Sequence, residues 1–215
     1  MFPDFLENPS DVAAPLLLGC TLTRTITLNG EKHKLVARIV ETEAYDQDDP
    51  ASHAFGGLSE RNEAMFGPAG HLYVYVSYGM HHCCNVVCGP EGFGSGCLVR
   101  AVEPLEGVEV MRELREAGRA GKAHTGRAGK EQAERARKHP LKLRDLTNGP
   151  GKVCAALGID KGLYGHDLTV EPLVLDFAPL LPGETIGCSP RVGISKNANA
   201  QKRFFIEENA FVSRA

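Results

Sequence analysis

LYVYVSYGMHHCCNVVC, residues 72–88, reads as a β-hairpin, and the rest of the fold can be built outward from it. Residues 72–78 are dense in Tyr and Val, types that suit a pleated, half-buried surface. Gly79 punctuates the run, and residues 84–88 read as the returning strand. Side chains alternate across a strand, so Tyr73 and Tyr75 share one face. Tyr78 falls on the other face beside the turn and should project from the hairpin tip.

Upstream, Ser10 suits the N-cap of a short helix over residues 10–18, with Gly19 after its end. Residues 21–28 alternate and are β-branched, Asn29-Gly30 is a hairpin signal, and residues 34–45 form the return. Residues 46–70 hold no period; a loop this long in a compact domain usually serves function. Downstream, residues 97–103 read as a strand. Pro104 suits the first turn of a helix whose face carries Leu105, Val108, Met111 and Leu114 and which ends near Gly118. Residues 150–157 form a second helix, closed by Gly158. Residues 168–170, 173–177, 191–194, 203–206 and 211–213 read as short strands. Strands outnumber helices and connect locally. The expectation is one α+β domain over residues 1–215, built on a mainly antiparallel curved sheet with a protruding hairpin and peripheral helices. Residues 1–11 should be loosely tied, and residues 119–139 either a mobile basic loop or an exposed helix.

The chain has 215 residues, enough to bury a core without staples. Its seven cysteines are odd in number and include the adjacent Cys83 and Cys84, which fits reduced thiols better than a disulfide framework. No run of about 18 apolar residues exists. The acidic N-terminal stretch does not read as a signal peptide. A cytoplasmic protein is expected. The net charge of −3 argues against a protein that coats nucleic acid, yet eleven Lys and Arg lie between residues 112 and 144. That segment is either a phosphate-contacting face or a solvated charged loop.

Four clusters could carry chemistry. In IVETEAY, residues 39–45, Glu41, Glu43 and Tyr45 share one strand face. A carboxylate beside apolar and aromatic groups is a candidate proton acceptor; the plainer reading is a half-exposed acidic face. The tyrosines could wedge between base steps, stack on an extruded base, or simply pack in a hairpin. His81-His82-Cys83-Cys84, with Cys88 and Cys97, offers zinc-type ligands, but neighbours in a strand point to opposite faces and paired CxxC knuckles are absent. Asn148-Gly149-Pro150-Gly151-Lys152 could present a helix N-terminus and a lysine to a phosphate, or merely start a helix.

Taken together, these residues resemble the alkyladenine (3-methyladenine) DNA glycosylase family, also called methylpurine glycosylases. The resemblance rests on ARIVETEAY (37–45), ERNEAMFGPAGHLYVYVSYGMHHCCNV (60–86), LVRAVEPLEGVEVMR (98–112) and TNGPGKVCAALGI (147–159), in that order, with PRVGI and RFFI…FVS after them. It covers most of the chain from about residue 12.

The resemblance implies a base-excision-repair enzyme that flips alkylated or deaminated purines (3-methyladenine, 7-methylguanine, hypoxanthine, ethenoadenine) out of damaged double-stranded DNA. A water activated by glutamate would then hydrolyse the N-glycosidic bond and leave an abasic site. It implies Glu43 as the catalytic base with Arg100 beside it, and Tyr45, His53, Tyr75 and Asn85 as the base pocket. Tyr78 would intercalate, and Met80 and Lys152 would contact the backbone. It implies no metal and no cofactor, and a monofunctional enzyme, since no lysine sits in the matched pocket blocks. A monomer with no membrane association is expected.

The chain lacks the long N-terminal extension of vertebrate members, which suggests a bacterial-type member acting in the cytosol or nucleoid. It carries His81 and His82 where aromatic or apolar residues are common. Its loop over residues 46–53 is one residue shorter. Two competing readings stand beside this one. One is a non-catalytic, zinc-dependent nucleic-acid-binding module. The other is a glycoside hydrolase using Glu41 and Glu43 as acid and base.

Overall fold

The computed structural model describes residues 4–121 and 141–214. Along these the chain forms α1 (Ser10–Leu16), β1 (Thr21–Leu28), β2 (Glu31–Asp46), β3 (Leu72–Ser77), β4 (His81–Val87), β5 (Ser95–Glu106) and α2 (Val108–Gly121). There follow α3 (Pro150–Leu157), β6 (Leu173–Asp176), β7 (Ile186–Ser189) and β8 (Arg203–Ile206), with 3-10 turns between elements. The sheet order is β3-β4-β5-β2-β1-β6, and every pairing is antiparallel. The sixteen-residue β2 is the spine. One edge runs along β5; the other pairs first with β1 and then, over Glu41–Glu43, with β8. The result is a mixed α+β domain around a curled antiparallel sheet, with the β3–β4 hairpin at one edge.

The alternation in LYVYV divides the two faces. Leu72 and Val74 of β3, Cys84 and Val86 of β4, and Cys97, Val99 and Ala101 of β5 join one buried core with α1 and α3. Each Val or Leu buried there contributes about 1.5–3 kcal/mol relative to exposure, so the root of the hairpin is firmly held. Tyr73, Tyr75, Asn85, Arg100, Glu41, Glu43 and Tyr45 occupy the opposite face of the same strands. That face is covered by loops instead of helices. Ala54 and Met65 from the loop over residues 47–71 form a second small cluster there with Tyr73 and Val87. Asn62 braces this loop: its Nδ2 donates to the carbonyls of His53 and Gly57, and its Oδ1 accepts from the Ser59 amide.

Several local expectations are corrected. Pro9, not Ser10, is the N-cap of α1, without a side-chain cap; the Ser10 amide donates instead to Asp46 Oδ1 at 3.1 Å. Residues 4–7, within the stretch expected to be loose, form a 3-10 turn with Leu6 fully buried. Pro104 does not open a helix. β5 continues through it, opposite Ala37, and Leu105 is the extra residue of a bulge, a position where a strand tolerates proline. The helix begins only at Val108, after Gly107. That glycine has φ +76°, and the Lys34 carbonyl would stand 2.7 Å from any Cβ, so only glycine makes the turn.

Residues 168–170, 191–194 and 211–213 are not strands, while Ile186–Ser189 is one. In two of the three the backbone serves side chains instead of a ladder: the Val192 amide donates to Glu43 and the Ser213 amide to Glu41. The basic segment coincides with α2 as far as residue 121, and residues 122–140 lie outside the described residues.

Candidate active site

Glu43 lies near the centre of the loop-covered face and is fully buried, which removes the reading of a half-exposed acidic strand. Its Oε2 accepts from the Tyr45 hydroxyl at 2.8 Å. Its Oε1 accepts from the Val192 amide at 2.7 Å and lies 3.2 Å from Arg100 Nη1. A carboxylate oxygen offers two lone pairs, so Oε2 keeps one acceptor direction beyond the Tyr45 bond.

Arg100 reaches Glu43 because of an irregularity in the ladder. Glu41 pairs with Ala101 and Thr42 with Val99, so β5 passes Arg100 without a partner on β2. A bulge of this kind re-aims a side chain. Burial works against the charge of Arg100, but Glu43 and Glu41 outweigh it and hold the guanidinium ionised above its ordinary range.

Glu41 is also fully buried, and accepts four hydrogen bonds. Its Oε1 takes Arg100 Nε (2.9 Å), Arg203 Nε (2.7 Å) and Ser213 Oγ (2.8 Å); its Oε2 takes the Ser213 amide (2.7 Å). Both oxygens are thus turned to Arg100, Arg203 and Ser213, and Glu41 does not line the cavity, so the two-carboxylate glycoside hydrolase loses its second group.

Beside Glu43 opens a cavity of about 110 Å³. Tyr45, Ala51, His53, Met65, Tyr73, Tyr75, Asn85 and Ile194 line it. The four residues expected to form a pocket therefore do share one. Glu43 is not itself a wall; it sits behind Tyr45, whose hydroxyl it holds. The aromatic walls interlock. His53 meets Tyr75 edge-on at 4.6 Å between centroids, and Tyr73 stacks on Tyr75 at 5.6 Å. His53 Nδ1 lies 3.0 Å from the Tyr73 hydroxyl.

Burial, then the nearby Arg61 charge, lowers the proton affinity of His53, so its ring is neutral at neutral pH. Burial raises the phenol of Tyr73 to about 12 and those of Tyr45 and Tyr75 further, the latter two also by Glu43 and Cys83 respectively. The cavity walls are thus uncharged and electron-rich, with the Arg61 charge nearby, and Asn85 among them donates to the Tyr73 carbonyl at 3.4 Å.

Sequence reasoning singled out Tyr73 with Tyr75 without assigning it to the pocket, and missed Arg191. Tyr73 was legible from its period with Tyr75. Arg191 heads the PRVGI block. Its side chain is sealed from solvent, bonds Asp49 at 2.7 Å and the Ala44 carbonyl at 2.8 Å, and stacks over the Tyr45 ring at 4.5 Å.

Tyr78 occupies the hairpin tip, 85% exposed, with φ +49°; Gly79 follows at φ +69°. Two successive positive φ values mark a mirror-image hairpin turn. Met80, 60% exposed, is beside it. Lys152, on the first turn of α3, donates to Asn148 Oδ1 at 2.6 Å; burial and then Arg115 lower its proton affinity. α3 abuts the hairpin, since a Cβ on Gly151 would lie 3.1 Å from that of His81.

The His/Cys cluster does not converge. Cys83 and Cys84 are buried free thiols, Cys83 pushed up to about 11 by burial. Among the described residues no group of three or more His, Cys, Asp or Glu is placed to hold a metal ion. Among the same residues no helix is long and apolar enough to cross a membrane.

Comparison with known proteins identifies the family. The family model for methylpurine-DNA glycosylase matches residues 4–210. A protein of Nitrosospira multiformis, provisionally named a 3-methyladenine DNA glycosylase, is 41% identical over 98% of this chain and 92% of its own length. Proteins with the same provisional name from Chlorobaculum parvum (44% identical; 98% and 88%) and Methanoculleus marisnigri (40%; 98% and 96%) are similar. This chain belongs to the methylpurine-DNA glycosylase family, a family of hydrolases acting on N-glycosyl bonds.

Proposed function

We propose that the protein removes alkylated and deaminated purines from double-stranded DNA by rotating each into the cavity beside Glu43 and hydrolysing its N-glycosidic bond. The observation that carries this reading is the pairing of a sealed carboxylate with a neutral aromatic box. Tyr78, Met80 and the start of α3 with Lys152 form the DNA-facing rim, with Tyr78 filling the gap left in the stack. Extrusion costs a few kcal/mol, and stacking returns about 1–3 kcal/mol per base.

Alkylation at N3 or N7 makes the purine cationic. A cation is attracted to the faces of Tyr45 and Tyr75, and neutral His53 does not repel it. The positive base leaves with the bonding electrons, a neutral deaminated or etheno base does so once a ring nitrogen has taken a proton from solvent, and the sugar becomes oxocarbenium-like. The Glu43 carboxylate orients a water on its free Oε2 direction, accepts the proton as oxygen attacks C1′, and stabilises the sugar cation. General-base help of this kind is worth about 10²–10⁴-fold. Arg100 and the Val192 amide fix Oε1, so that the carboxylate does not turn. Asn85, under the ring, disfavours guanine through its 2-amino group.

The test is excision from duplexes holding one hypoxanthine, ethenoadenine or 7-methylguanine, with abasic sites cleaved by alkali. Free base and alkali-labile sites are expected, and no product trapped by borohydride. A trapped adduct would replace the water with an amine nucleophile; intact DNA with every lesion would defeat the proposal.

A further inference from the structure

We infer that Glu41 and Ser213 form a positioning unit that aims Arg100 at the catalytic carboxylate. The inference rests on the reading of Glu43 just given. The two residues are 172 positions apart in the chain, yet they share two hydrogen bonds of 2.7 and 2.8 Å. Ser213 also accepts from Arg100 Nη2 at 3.3 Å. Arg100 is thereby gripped at two of its three nitrogens, Nε by Glu41 and Nη2 by Ser213. Only Nη1 remains, and it points at Glu43.

Charge supports the same conclusion. Were Glu41 paired with Arg100 alone, it would draw the guanidinium from Glu43. Arg203 takes a second share of Glu41 at 2.7 Å and donates to the Ser213 carbonyl at 3.0 Å. Two arginines therefore face two carboxylates, and Arg100 retains charge for Glu43. All four groups are buried, where such interactions are little screened. Glu41 and Ser213 touch neither the cavity nor any reacting atom, so they act through Arg100.

The experiment compares wild type with Ser213→Ala, Ser213→Thr and Ser213→Cys in single-turnover excision of hypoxanthine across pH, with duplex affinity and Tm measured alongside. Loss of the hydroxyl frees Nη2 and lets Arg100 drift from Glu43. A misplacement of about 1 Å lowers the excision rate by up to about 10²-fold. Duplex affinity stays within twofold, and the acidic limb of the rate profile moves to higher pH. Threonine restores both rate and limb. The cysteine variant, close in size but a weak donor, behaves as alanine does and serves if the alanine variant fails to fold. A wild-type rate and unmoved limb in a folded variant would overturn the inference, as would a rate loss that merely follows lost folded protein. Failure of wild type to excise any lesion would instead overturn the reading of the site.

Discussion

Replacing Tyr78 with glycine should make the protein no less stable while removing much of its activity. The Tyr78 side chain is 85% exposed, so its removal uncovers almost no core. Its φ of +49° places an L-residue in the left-handed region, at about 1–2 kcal/mol. Glycine relieves that strain and returns about 0.5–1 kcal/mol through the greater freedom of the unfolded chain. The net change runs from about zero to about 1.5 kcal/mol of stabilisation. For a chain of this size that is a rise in Tm of at most about 6 °C.

The functional effect has the opposite sign. A ring that fills the vacated stack is worth about 1–3 kcal/mol, or about 5- to 150-fold in the flipping equilibrium at 1.36 kcal/mol per decade. Differential scanning calorimetry reads the first quantity, and single-turnover excision of ethenoadenine the second. Tyr78→Ala, which keeps the strain, should lose the activity without the gain. A fall in Tm of several degrees for the glycine variant, or excision at the wild-type rate, would refute the argument that the strain is retained for DNA.

Two further outcomes follow from the site. Because burial depresses the proton affinity of His53 below its usual 6.5, the ring stays neutral at pH 7 and charges only under more acid conditions. Affinity for a cationic 7-methylguanine duplex, measured on the Glu43→Gln protein, should then weaken relative to a neutral ethenoadenine duplex. Fold stability should fall over the same range, from about pH 6.5 down to the depressed value, since there the unfolded chain binds a proton that the folded one does not; equal pH dependence for both lesions would exclude His53 from the base pocket. Arg191→Ala leaves Asp49 sealed without its 2.7 Å partner. It should cost about 3–5 kcal/mol, read as a lower urea midpoint; a loss under about 1 kcal/mol would show that Lys202, whose Nζ lies 3.7 Å from Asp49 Oδ2, takes over the charge.

Period-two alternation made the hairpin, the shared face of Glu41, Glu43 and Tyr45, and the aromatic face of β3 legible in the sequence. What it could not carry was any feature set by a break in the period or by distant chain. The bulge that turns Arg100 toward Glu43 adds a residue to a ladder that otherwise reads as regular. The burial of Glu41 depends on Arg203 and Ser213, brought from the far end of the described chain. Residues 191–194 and 211–213 look apolar enough for strands, but the Val192 and Ser213 amides are taken by carboxylates. The helix expected from Pro104 failed for a related reason: β2 is long enough to keep pairing with β5 past that residue.

The central claim is that the carboxylate of Glu43 activates the attacking water. Glu43→Gln keeps the size of the side chain and its acceptor for the Val192 amide but removes the charge. On a duplex holding a single ethenoadenine, binding should remain within a few-fold of wild type while single-turnover excision falls by at least about 10²-fold. Excision at an undiminished rate by this folded variant would contradict the account.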